Sequence, residues 1–232
     1  MPYPRRVRII TDKGGVPVPV PVISPVDEQI FLLNVIELLA ALFRTPDSAG
    51  WAAIRDTGLP ALAARAPIRT GQLTDTLEKL QGALDSSENT IGIIDELLSE
   101  QVRLFVAGRG GVVAPPYESC HRPGESGVMG EAALSMRSRL AEAGLEVALP
   151  SNEPPDHLSL ELEYLHHLLS TAWAEQDGTR EAEALAFSGE TMLPWVARFR
   201  DALLEGTPHP VFTHAADLAV ALLEELSSRA DK

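Results

Sequence analysis

The chain has a single cysteine, Cys120, among 232 residues, so no internal disulfide can form and a reducing compartment is the natural setting. Positive charge is scarce: 19 Lys and Arg stand against 33 Asp and Glu, a formal net charge of -14. A broad acidic face repels phosphate backbones, which excludes nucleic acid as the expected partner and favours a cationic one. No apolar run approaches the roughly 20 residues that a helical membrane span requires. Arg5-Arg6 is followed by Val7-Arg8-Ile9-Ile10-Thr11-Asp12-Lys13, which puts charges where an export signal needs an apolar stretch. The expectation is a cytoplasmic protein with no stable membrane insertion.

Signatures of catalysis are missing too. Cys120-His121 pairs a thiol with a base, but adjacent side chains usually point apart, and neither a third orienting group nor a Gly-rich oxyanion loop accompanies them. His157, His166 and His167 have no cysteine pair or HExxH spacing beside them, so no metal is expected. Gly108-Arg109-Gly110-Gly111 lacks the Gly-Lys-Ser/Thr that would contact phosphate and magnesium, and it follows a helical stretch rather than a strand. We therefore assign no catalytic residue, no metal and no cofactor, and expect a binding protein rather than an enzyme.

What is present is helical periodicity. From Ser24-Pro25-Val26-Asp27, a start signal with a capping serine and a first-turn proline, Ile30, Phe31, Leu33, Leu38, Leu42 and Phe43 make a broad apolar face that Pro46 stops. Further helical patterns cover 49–55, 73–84, 90–105, 130–143, 156–173, 179–192, 194–204 and 212–228. The fold class is all-α, an irregular bundle of about nine helices rather than a four-helix coil. Gly108 to Gly111 and Ala114-Pro115-Pro116 interrupt the pattern and predict a hinge near residues 106–120 between two helical halves. Such a hinge admits either a monomer or a domain-swapped dimer. Residues 1–26 form a separate extension, in which Val16-Pro17-Val18-Pro19-Val20-Pro21 forbids helix and suits an extended arm. Residues 7–11 could form a short edge strand, with nothing obvious to pair with. The helical domain is 27–232.

Two Pro-Pro elements carry the functional signal. In Glu153-Pro154-Pro155-Asp156-His157-Leu158 the prolines bar helix, Asp156 is placed to cap the helix that follows, and His157 falls on its first position near the positive end of the dipole. In Ala114-Pro115-Pro116-Tyr117-Glu118-Ser119 the restricted loop presents Tyr117 with little entropy to lose on binding, and Glu118 adds a carboxylate. Glu161 lies one turn beyond His157 and can share its face, whereas Glu163 reads as a solvated position. Trp195 and Phe199, four apart, make one stripe that suits a core or an apolar groove.

Leu104-Phe105, Pro115 to Ser119, Ala143-Gly144-Leu145, Pro155-Asp156-His157-Leu158 with Glu161-Leu162-Glu163-Tyr164, and Phe187…Pro194-Trp195…Phe199 occur in an order that resembles the TorD/DmsD family of cytoplasmic chaperones for molybdenum redox enzymes. The resemblance runs over roughly 95 to 226, and the N-terminal third matches only in being helical. Leu140 stands where an aromatic is common, and Thr191-Met192 where His-Leu is usual. The resemblance implies a chaperone that binds the apo catalytic subunit of a molybdopterin-dependent oxidoreductase through its twin-arginine signal peptide, assists cofactor insertion and delays export. It implies contacts at Asp156, His157, Tyr117, Glu118, Ser119, Glu161 and Trp195, with Pro116 and Pro155 fixing the loops. Adjacent guanidinium groups would suit these carboxylates, because a bidentate fork adds geometry to charge. Two alternatives stay open: a nitrate-reductase-type assembly chaperone for a non-exported apoenzyme, and a helical protein that binds or hydrolyses a guanine nucleotide.

Overall fold

The computed structural model describes residues 9–11, 17–19, 25–67, 71–86, 90–107, 111–124, 127–147 and 153–230. The helices are α1 (Pro25–Phe43), α2 (Ser48–Ala53), α3 (Leu59–Ala63), α4 (Gly71–Asp85), α5 (Thr90–Gln101), α6 (Glu118–His121), α7 (Glu131–Glu142), α8 (Leu158–Glu175), α9 (Gly178–Ala186), α10 (Leu193–Glu205) and α11 (Pro210–Ala230). Three π-helical turns accompany them, at Ile54–Gly58, Val102–Val106 and Phe187–Met192. The first joins α2 to α3 and the third joins α9 to α10, so nine continuous rods result among the described residues.

Both joining turns precede a proline at the start of the next helix, Pro60 in α3 and Pro194 in α10. Proline has no N–H and its ring clashes with the carbonyl four residues back, and a widened turn relieves that clash without ending the rod. The periodicity had predicted a break between 192 and 194, and a helix stopping at 55. The proline is absorbed in both places.

Asp47 caps α2, its Oδ1 accepting from Gly50 N at 2.8 Å. The expected cap at Ser24 and the glycine run 108–110 lie outside the described residues. In the N-terminal extension, β1 (Ile9–Thr11) pairs antiparallel with β2 (Pro17–Pro19). The predicted edge strand therefore has a partner, supplied by the Val-Pro run, which is extended as its prolines predict.

Helix α1 packs on α8 and α11, and α11 packs also on α4 and α10. In α11 Phe212, Leu218 and Leu222 alternate with Ala215, Ala216 and Ala219, all buried, and the small residues let neighbouring helices come close. An aromatic cluster ties the early and late helices together: Phe43 meets Phe199 edge-on at 5.6 Å, and Phe105 meets Phe212 likewise at 5.6 Å. One hydrophobic cluster runs from Phe31 to Leu226, so the helices on either side of the 106–120 connector share a core. The connector is pinned to that core. Ala114 is fully buried and its N–H donates to the Leu104 carbonyl at 3.0 Å.

Candidate functional site

The two Pro-Pro elements lie side by side. Proline holds the preceding residue extended and offers no N–H, so the residues just after each pair must supply the donors. They do so reciprocally: Glu118 N donates to the Asp156 carbonyl at 3.0 Å and Leu158 N to the Pro116 carbonyl at 2.9 Å. The result is a single antiparallel bridge between Tyr117 and His157, which were forty positions apart in the sequence. Pro116 and Pro155 are both buried, as residues that fix the two loops should be.

The capping assignment from sequence is corrected here. His157, not Asp156, is the N-cap of α8: its backbone is extended (φ -72°, ψ 136°) and its Nδ1 accepts from Ser159 N at 3.1 Å, with the Ser159 hydroxyl at 2.9 Å. An acceptor at Nδ1 places the ring proton on Nε2, the neutral imidazole. Burial pushes the His157 pKa below its ordinary value, in keeping with that tautomer. Asp156 is released from its own helix and caps another. Its Oδ2 accepts from Ser119 N at 3.0 Å, within the first turn of α6. The short helix α6 thus owes its N-terminal cap to a residue on the opposite strand of the clasp.

Tyr117 closes the clasp on its outer side. Its hydroxyl donates to Glu153 Oε2 at 2.7 Å and its ring meets the His157 ring edge-on at 5.0 Å. Burial first, then the Glu153 carboxylate, raises the phenol well above its usual range, so it remains a donor at any physiological pH. Tyr117→Phe should cost about 1 kcal/mol of unfolding free energy, the net worth of one hydrogen bond. Urea unfolding measures it.

Behind the clasp sits a set of buried acids that the sequence had placed at the binding surface. Asp156, Ser119 and Glu161 are fully enclosed, and Glu118 and Trp195 nearly so. Trp195 Nε1 donates to Glu161 Oε2 at 3.0 Å, which makes this tryptophan a core residue and a hydrogen-bond partner at once. Burial, then the neighbouring Glu118 to which it is hydrogen-bonded, holds the Glu161 pKa well above the carboxylate range. Arg122 stands 3.7 Å from Glu118 on the outer side. Glu163, read as solvated, is half exposed but ion-paired with Arg44. Cys120 and His121 do not form a couple. Burial, then the Asp156 charge, raises the thiol, while the His121 Nε2 lies 2.7 Å from the Pro115 carbonyl and its ring stacks on Trp195. No group of three His, Cys, Asp or Glu side chains among the described residues could hold a metal ion.

In front of the clasp is a groove of about 560 Å³. Of the sequence candidates, Pro116, Tyr117 and His157 line it, and Pro155 borders a shallower depression beside it. Phe105, Val106, Leu140, Leu145 and Leu160 give it an apolar lining, and Glu146, Glu153 and Glu163 face it against the single arginine Arg44. The motif Ala143-Gly144-Leu145 explains two of those residues. Gly144 takes a left-handed backbone (φ 70°) after α7, and Leu145 N reaches back to the Leu140 carbonyl at 2.8 Å. That turn puts both leucines on the groove. Glu146 carried no signal in the sequence, because its role depends on where this turn aims the chain.

The family model described as "Nitrate reductase delta subunit" matches residues 70–201. The Tat proofreading chaperone DmsD of Salmonella typhimurium is 32% identical over 118 residues, covering 50% of this chain and 53% of that protein. The chaperone protein TorD of Vibrio cholerae is 29% identical over 158 residues, 66% of this chain and 67% of its own length. TorD of Photobacterium profundum is 27% identical over 161 residues, with 67% and 73% covered. The chain spans about half the length of the DmsD relatives it matches. Matched over the interval that holds both Pro-Pro elements and their clasp, the chain belongs to the TorD/DmsD family.

Proposed function

We propose that this protein is a client-specific chaperone that binds the apo catalytic subunit of a molybdopterin-dependent oxidoreductase by its twin-arginine leader, and keeps the subunit open and unexported while the cofactor enters. The observation that carries the reading is the groove itself. Its apolar lining accepts the hydrophobic segment of a leader, as amphipathic or apolar helices enter grooves elsewhere. Its three glutamates, against one arginine, attract the paired guanidinium groups that precede that segment. Tyr117 and His157 stand at the rigid rim between the two halves of such a ligand. The chaperone names of the DmsD and TorD relatives support the same reading. Nothing in the mechanism requires covalent chemistry: a ligand that prefers the unloaded client over the finished one is sufficient. No helix among the described residues is long and apolar enough to cross a membrane, and we place the work in the cytoplasm, before export.

Titration of a fluorescent twin-arginine leader peptide tests the proposal. Binding should weaken with salt, and the double variant Glu146→Gln/Glu163→Gln should lose about tenfold at low ionic strength while flattening the salt dependence. A leader with its arginines kept and its apolar segment replaced by serines should fail to bind. If that peptide binds as well as the parent, the groove is not where the leader sits. A second reading, assembly of a non-exported nitrate-reductase-type subunit, is favoured by the description of the matched family model. Capture of the client from native cytoplasm separates the two, since only the first yields a precursor with a twin-arginine leader.

A further inference from the structure

A second cavity, of about 320 Å³, lies on the other side of the clasp. It is lined by three arginines, Arg122 after α6, Arg139 in α7 and Arg198 in α10, together with the hydroxyl residues Ser135 and Thr191. In a chain of net charge -14, three guanidinium groups at one cavity are a local reversal of sign. Two carboxylates also line it, Glu118 and Glu190. Glu118 is nearly enclosed, engaged inward with Glu161 and 3.7 Å from Arg122, so it offsets part of one of the three cations. Arg139 and Arg198 form no ion pair among the described residues. Arg198 instead donates to the His121 carbonyl at 3.1 Å, and Arg139 lies 5.1 Å over the Phe187 ring and hydrogen-bonds Tyr164. Each fork therefore keeps donors beyond those contacts, since a guanidinium carries five N–H groups.

We propose that this cavity binds a phosphate-type oxyanion, as inorganic phosphate or the terminal phosphate of a small monoester. Three guanidinium groups present more donors than one carboxylate can accept, whereas a tetrahedral phosphate offers a terminal oxygen to each. A cavity of about 320 Å³ admits such a group with room for the rest of a small monoester. The two cavities are distinct but share a wall: Arg139, Phe187 and Trp195 line the second and not the first, and the groove residue Tyr164 hydrogen-bonds Arg139 and has its ring 5.2 Å from Phe187.

The test is equilibrium binding of inorganic phosphate to the full chain by calorimetry at constant ionic strength, with glycerol phosphate, acetate and chloride as parallel titrants. Arg198→Gln is the informative variant, because its contact to a backbone carbonyl is dispensable to the core, and Arg122→Gln is the second. Phosphate should bind, chloride and acetate should not, and each variant should weaken phosphate about tenfold, as loss of one charge-assisted pair does. Leader-peptide binding, measured alongside, should stay unchanged and shows that the variants are folded. Phosphate heats no different from those of chloride, equal binding of acetate, or parent-like phosphate affinity in both variants would each overturn the assignment. Glycerol phosphate binding more tightly than inorganic phosphate would identify the monoester as the ligand, and the converse the free ion.

Discussion

Asp156→Ala should destabilise the protein by about 2–3 kcal/mol, because it orphans a buried donor and leaves a small void. Asp156 is fully enclosed, and its Oδ2 is the acceptor for Ser119 N in the first turn of α6. Helix α6 is four residues long, too short to hold itself by its own hydrogen bonds, so its start is fixed from outside. The two backbone bonds of the Tyr117–His157 bridge flank the same side chain. Removal of the carboxylate should therefore loosen both rims of the groove, and leader affinity should fall by more than the loss of one surface charge explains. Asp156→Asn is the informative companion. It keeps an acceptor for Ser119 N but puts an NH₂ where Oδ1 has no partner among the described residues, so it should fall between parent and alanine. Urea unfolding of the three proteins, with leader titration at matched folded fraction, makes the comparison. An alanine variant within about 0.5 kcal/mol of the parent, the ordinary range of a surface change, would mean that the clasp does not depend on Asp156.

The all-helical class and the rods were legible because apolar residues recur at helical spacing in every long segment, whereas the Trp195 and Phe199 stripe suited a core or a groove and the fold makes it core. The π-helical turns were not, since Pro60 and Pro194 give the same local signal whether a helix ends or merely widens. The pairing of β1 with β2 escaped for a related reason: proline barred the Val-Pro run from helix but did not say what it would lie beside. In the site, sequence located the two Pro-Pro corners and misjudged which way their acids face. A carboxylate just before a helix can cap that helix or any other within reach, and only the fold decided that Asp156 serves α6. Glu161 carries a signal of its own burial in the sequence. It lies on the stripe of Leu158, Leu162, Leu165 and Leu169, all of which are fully buried, and a charge on such a stripe implies a buried partner. That partner, Trp195, is thirty-four positions away and invisible to periodicity.

Glu161 yields the second large effect, and it depends on pH. In the unfolded chain this carboxyl loses its proton around the ordinary value of 4.5, whereas the folded protein holds it to a pH well above that. Between those two values the folded state binds more protons than the unfolded one, so stability falls as pH rises through the window. The neighbouring Glu118 charge and its hydrogen bond help burial to hold that proton on Glu161. Glu161→Gln cannot titrate, yet its amide can accept from Trp195 Nε1 and donate toward Glu118 as the protonated acid does. It should match the parent near pH 4.5 and exceed it increasingly as pH rises. His157 works in the opposite sense: its depressed pKa makes it stabilising above the ordinary 6.5, a contribution lost as pH falls through the folded value, and His121 and His209 share that direction. All three histidines are common to parent and variant, so the difference between the two stability curves isolates the carboxyl. Glu161→Ala should cost about 3–4 kcal/mol near pH 4.5, since it strands the indole N–H and opens a void in the core. Denaturant unfolding from pH 4 to 8 decides the matter: parallel curves for the parent and the glutamine variant would show that Glu161 does not titrate in that range, and an alanine variant as stable as glutamine would show that its bond to Trp195 contributes nothing.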